Sequence, residues 1–202
     1  MLVYGLAADT SRHEMREILG WLLLTGVLHL AAGNFIWKRR VSHEYMRLIR
    51  HGRFSGWWHG LYARVLGLCL VLTLSVFAAA WIFQLTVWDW PVRKVMGAAA
   101  LQAFFVFFLN LCFFSVIQML LINMGQWEKF SFLMVMVTEV LSLYGKAVWK
   151  EAVYWMPGSW KMYLRSSWYL EEGYNAAVTS AIQAVWILVC FLTGYKLLDR
   201  RK

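Results

Sequence analysis

Charge is distributed along this chain in blocks. A helix needs about 20 apolar residues to cross the ~30 Å hydrocarbon core of a bilayer, and five stretches approach or exceed that length. Residues 18–37 carry no charge and have His29 and Asn34 as polar marks; residues 65–85 and 175–195 are also uncharged. Residues 95–124 run uncharged for long enough to tilt or kink, once past Lys94. The stretch 130–148 is the weakest, because it holds Glu139 and Lys146. Apolar residues surround each stretch on every side, so lipid and neighbouring helices must take every face. The strict alternation of a membrane barrel is absent, and only helices satisfy their own backbone in lipid. The pattern predicts an all-α fold, a polytopic integral membrane bundle of five transmembrane helices forming one domain over residues 1–202.

Composition agrees. Hydrophobic residues make up 61% of the chain and charged residues 15%, where a soluble domain of this length carries about a quarter charged. Aromatics reach 17%, with 13 Trp, as membrane–water interfaces favour. Disorder is excluded by the two Pro and the lack of a Ser/Gly-rich stretch, and a disulfide-stapled secreted fold because Cys69, Cys112 and Cys190 each lie inside an apolar run.

Lys and Arg placement sets the orientation. Lys38, Arg39, Arg40, Arg47, Arg50, Arg53 and Arg64 fall between the first and second stretches, Lys129 before the fourth, and Lys196, Arg200, Arg201 and Lys202 at the end. The acidic residues on that side are Glu44, Glu128 and Asp199, whereas basic and acidic residues nearly balance on the other. The N-terminus is therefore predicted outside and the C-terminus inside, and the net charge of +9 reads as orientation and lipid contact, with no nucleic-acid partner. A cleaved signal peptide would start with a positive region, but Arg12 and Arg16 are outnumbered by Asp9, Glu14 and Glu17.

Two connections stand out beside the outer N-terminal segment 1–17. The inner one, residues 38–60, places Tyr45, Leu48 and Ile49 on one helical face and Arg47, Arg50 and Arg53 mostly elsewhere, with Phe54, Trp57 and Trp58 following at breaks made by Gly52 and Gly56. That suits a helix lying on the inner leaflet, either gripping anionic head groups or receiving a cytoplasmic protein. In the outer one, residues 149–174, Met156-Pro157-Gly158 forces a break. Trp160, Tyr163, Leu164 and Trp168 then recur at helical spacing beside Lys161 and Arg165. The expectation is a short amphipathic or re-entrant helix that either caps the bundle as an aromatic belt or gates it.

Glu139 is the one carboxylate deep in a span. It is either a packing group or a proton relay or substrate contact, with Lys146 two turns on as a distant partner. Asn110, Gln102, Gln118, Asn123 and Gln183 are uncharged polar groups that glue helices. His29 reads as a hydrogen-bonded interior histidine. No metal-binding spacing, nucleophile motif or phosphate-cradling loop occurs, so no enzyme activity and no cofactor are expected of the chain itself.

With the basic string Arg40–Trp58, the outer string Met156–Ser166 and the ending Gly194–Lys202 in view, residues 18–202 resemble the permease subunits of type-2 ATP-binding-cassette exporters, less that family's first helix. The resemblance implies a membrane subunit moving a peptide, lipid or hydrophobic compound, with ATP and Mg held by separate cytoplasmic ATPase subunits. Further partners would be membrane lipids and a second permease chain or a copy of itself, and the location would be the cytoplasmic membrane. Tyr45, Arg47, Leu48, Arg50, Arg53 and Trp57 would contact the ATPase, while Glu139, Asn110, Trp160 and Arg165 would line the path or gate. The alternative is a non-transporting accessory or scaffold subunit of a membrane complex.

Overall fold

The computed structural model describes residues 15–41, 54–87, 97–125, 128–143 and 150–199. Among the described residues five α-helices carry the fold: α1 (Met15–Val41), α2 (Phe54–Val87), α3 (Ala98–Gly125), α4 (Glu128–Leu143) and α5 (Ala176–Asp199). Between α4 and α5 lie three 3-10 turns, Lys150–Trp155, Pro157–Lys161 and Tyr163–Arg165. Among the described residues the remaining regular pairing is a single bridge between Ser166 and Tyr174.

Four of these helices, α1, α2, α3 and α5, are long and apolar enough to cross a bilayer. The molecule is an all-helical protein of the membrane-spanning kind. The 16 described residues of α4 extend about 24 Å. Its last described residue, Leu143, falls inside the predicted stretch 130–148, and Lys146 lies outside the described residues.

α3 is the centre of the bundle. In its most apolar stretch 67% of residues are buried, against 39% in α1 and 22% in α2 and α5. It packs against the four other described helices and against the turns Pro157–Lys161 and Tyr163–Arg165. The large buried side chains Trp21 and Ile36 of α1, Trp58, Leu61 and Phe77 of α2, and Phe107, Met119 and Ile122 of α3 form one continuous core. Exposed apolar residues, such as Leu19, Leu23 and Val27 on α1 and Val185, Trp186 and Leu188 on α5, fit a surface that lipid covers.

α2 begins at Phe54, so Gly56 and Gly60 are helical and the sequence-based break at Gly56 does not occur. No heavy atom lies within 4 Å of a Cβ built on Gly56, so this glycine interrupts nothing. Packing carries the helix through this point. Trp58 is 1% exposed, its indole N–H donates to the Phe191 carbonyl at 2.9 Å, and a Cβ on Gly194 would meet its ring. One turn further on, the Tyr62 hydroxyl donates to the Ile187 carbonyl at 2.9 Å. Trp58 and Tyr62 thus fasten the start of α2 to the second half of α5.

Candidate functional site

The described residues that lead into α5, 150–175, do not form an α-helix. Met156 and Met162 both adopt extended backbone, and each bounds a 3-10 turn. The helical spacing of Trp160, Tyr163, Leu164 and Trp168 is therefore not realised as one amphipathic helix. Trp160 and Tyr163 are buried while Trp168 is 38% exposed. The physical reason is that Lys161 and Arg165, which an α-helix would set side by side, are both buried and take different partners.

Pro157–Lys161 packs against α3 and α4. Its position follows from close approach at Gly158, where a Cβ would lie 2.9 Å from the Ser142 Cβ and 3.1 Å from the Thr138 carbonyl oxygen. The Asn110 side chain of α3 donates to the Pro157 carbonyl at 2.8 Å, at a point about 18 Å along α3 from its first residue. The turn therefore sits deep among the helices and occupies the flank of α3 near the last described turn of α4.

Lys161 carries the principal contact. Its Nζ lies 2.6 Å from Glu139 Oε1, with the two side chains 3% and 0% exposed. His29 Nε2 of α1 approaches the same oxygen at 3.7 Å. The Lys161 ammonium also stands 5.4 Å from the Trp21 ring centroid, within cation–π range. His29 packs edge-on against Phe114 at 5.5 Å. The surrounding walls of Thr25, Leu28, Phe107 and Leu111 leave no room for a water-sized sphere. Glu139 Oε2 and His29 Nδ1 are buried without a hydrogen-bond partner among the described residues. A carboxylate placed this way can hold a cation or exchange a proton with His29. It has no nucleophile beside it, and no cluster of metal-ligating residues exists among the described residues.

Arg165 reaches the last described turn of α4. Its Nη1 donates to the Ser142 carbonyl at 2.7 Å and to Ser159 Oγ at 3.0 Å. A cation on the last carbonyls of a helix satisfies groups that have no partner within the helix and complements the helix dipole. Burial holds the Arg165 guanidinium at about 10, below its usual range, and pushes the Tyr174 hydroxyl up. That hydroxyl donates to the Trp160 carbonyl at 2.7 Å, while the Tyr174 amide donates to the Arg165 carbonyl at 2.9 Å. Asn175 then caps α5, its Oδ1 accepting from the Ala177 and Val178 amides at 3.1 Å each.

The four sequence-predicted path or gate residues therefore meet on this segment: Glu139 and Asn110 receive it, and Trp160 and Arg165 belong to it. Sequence reasoning missed Lys161 as the partner of Glu139; its signal was a cation, paired with Arg165 at i, i+4, in an aromatic, Pro-Gly-broken stretch. Of the predicted ATPase contacts, Tyr45, Arg47, Leu48, Arg50 and Arg53 lie outside the described residues. Trp57 lies in the first turn of α2, partly buried against the core. No protein-family model, curated protein or solved structure matches the chain.

Proposed function

We propose that the chain is a membrane-spanning subunit of an ATP-driven exporter, oriented with its N-terminus outside and working with cytoplasmic ATPase subunits that hold ATP and Mg. A second permease chain or a copy of this one completes the assembly in the cytoplasmic membrane, and the cargo is a peptide, lipid or hydrophobic compound. One observation carries the reading. A Pro-Gly-broken segment folds back among the helices just before the last one, bridged to them by Glu139–Lys161 and by Arg165 on Ser142. The resembled permeases have their outer re-entrant piece at the same place in chain order.

In this reading, force enters through Tyr45, Arg47, Leu48, Arg50, Arg53 and Trp57. The bonds of Trp58 and Tyr62 to α5 pass it to the helix whose start is tied to the fold-back segment through Tyr174 and Ala176. Rocking between two packed arrangements is the ordinary form of such a transition. A second reading, a non-transporting scaffold, is favoured by the tight closure around Glu139, which leaves no water-sized space beside the buried charges.

Native extraction in mild detergent distinguishes the two readings. The exporter reading expects a co-eluting nucleotide-binding protein whose ATP hydrolysis falls when Arg47, Arg50 and Arg53 are replaced together by alanine. An intact complex without an ATPase refutes it. If an ATPase co-elutes but its turnover is indifferent to those substitutions, the coupling role fails and the scaffold stands.

A further inference from the structure

A second feature lies away from the Glu139 cluster. Between the turn Lys150–Trp155 and the start of α5 there is an open cleft of about 610 Å³, within the ~300–1,000 Å³ range of small-molecule sites. Tyr154, Trp155, Glu172, Tyr174 and Val178 supply its chemistry. Its frame is fixed: the Tyr154 carbonyl accepts from the Trp160 indole at 3.0 Å, and Tyr174 is 3% exposed and bonded at both its amide and its hydroxyl. Against that frame, Trp155 is 68% exposed. Glu172 is exposed and forms no ion pair among the described residues.

The electrostatics favour one sign of ligand. Aromatic faces are negative and attract cations, most strongly at Trp, and Glu172 adds a full negative charge. An anion would look for the free amides at the start of α5, but Asn175 Oδ1 already occupies those of Ala177 and Val178. The Val178 wall and the aromatic rings accept an apolar body. We propose that this cleft binds an organic monocation, an ammonium or related onium group carrying an apolar substituent, with its charge between Trp155 and Glu172. The assignment does not rest on the exporter reading.

The test uses the full chain in nanodiscs of phosphatidylglycerol, with benzyltrimethylammonium as probe and saturation-transfer NMR as readout. Its neutral carbon isostere, neopentylbenzene, is the control. Glu172→Gln and Trp155→Ala are each expected to weaken probe binding about tenfold. Both residues are exposed, so the fold is expected to survive, and an unchanged unfolding midpoint checks that it has. Equal binding of the isostere, or undiminished binding in both variants, overturns the proposal. Repeating the titration in phosphatidylcholine separates the two sources of such a cation. Because phosphatidylglycerol also concentrates cations at its surface, the comparison is made against phosphatidylethanolamine of equal zwitterionic charge: weaker apparent affinity in phosphatidylcholine than in phosphatidylethanolamine identifies the lipid's own choline group as the occupant, and equal affinity identifies a free amphiphile.

Discussion

Replacing Lys161 with methionine keeps most of the side-chain volume and removes the charge that faces Glu139. At 2.6 Å two unit charges attract by about 6 kcal/mol at an effective dielectric of ~20. Most of that offsets the cost of taking both groups out of water or headgroup contact. The loss on breaking the pair is larger than the pair's net worth, because a carboxylate with 0% exposure keeps no cation at hand among the described residues, only the His29 imidazole at 3.7 Å. The expected cost of Lys161→Met is about 3–5 kcal/mol, and of Glu139→Leu about the same. The double variant, with two apolar groups in contact, is expected within ~1 kcal/mol of the original. The assay is unfolding in mixed dodecylmaltoside–SDS micelles, followed by tryptophan fluorescence, since Trp21 lies against the Lys161 ammonium. Single-variant losses below 1 kcal/mol, or losses that add within about 0.5 kcal/mol in the double variant, would show that the two groups do not act as a pair and refute the argument.

Gly158→Ala forces a methyl group against Ser142 and the Thr138 carbonyl; overpacking of this kind costs about 1–3 kcal/mol. Limited proteolysis after Lys161 is expected to speed up in that variant and to return toward the original rate in Gly158→Ala/Ser142→Gly. Asn110→Leu removes the bond to the Pro157 carbonyl and is expected to cost about 0.6–1.7 kcal/mol, typical of interhelical hydrogen bonds in membranes, in the same micelle assay. Gly194→Ala displaces the Trp58 ring, so α2 and α5 should separate at lower denaturant, with Trp58→Ala partly suppressing the effect. Additive losses in that pair would contradict the contact.

The long helices were legible because uncharged length is a one-dimensional signal: residues 18–37 and 175–195 needed no tertiary information to be placed. Glu139 was legible for the same reason, as a charge where charges are costly. Its partner was not. Helical periodicity nominated Lys146, two turns along the same face, whereas the structure brings Lys161 back through a fold that Pro157, Gly158 and the extended Met162 permit. The spacing of Trp160, Tyr163 and Trp168 pointed to an α-helix because periodicity assumes that the element chooses its own conformation. Here Glu139 and the Ser142 carbonyl claim Lys161 and Arg165 separately, and that competition is invisible along the chain. Gly56 misled in the opposite direction, since a glycine inside a long apolar helix breaks nothing when its neighbours, Trp57 and Trp58, pack.

The Glu139–Lys161 bond also constrains biosynthesis. When α4 leaves the ribosome its carboxyl group has no cation yet, for Lys161 follows 22 residues later. A carboxyl group costs up to about 2.5–3.5 kcal/mol to release into lipid, the value reached at a helix centre. The cheaper course is to hold α4 at the protein-conducting channel until the 3-10 turns and α5 have been made. The last third of this chain is thus expected to enter the bilayer as a single parcel, and a ribosome stalled with α4 emerged but Lys161 still inside its exit tunnel would leave α4 waiting at the channel's lateral gate.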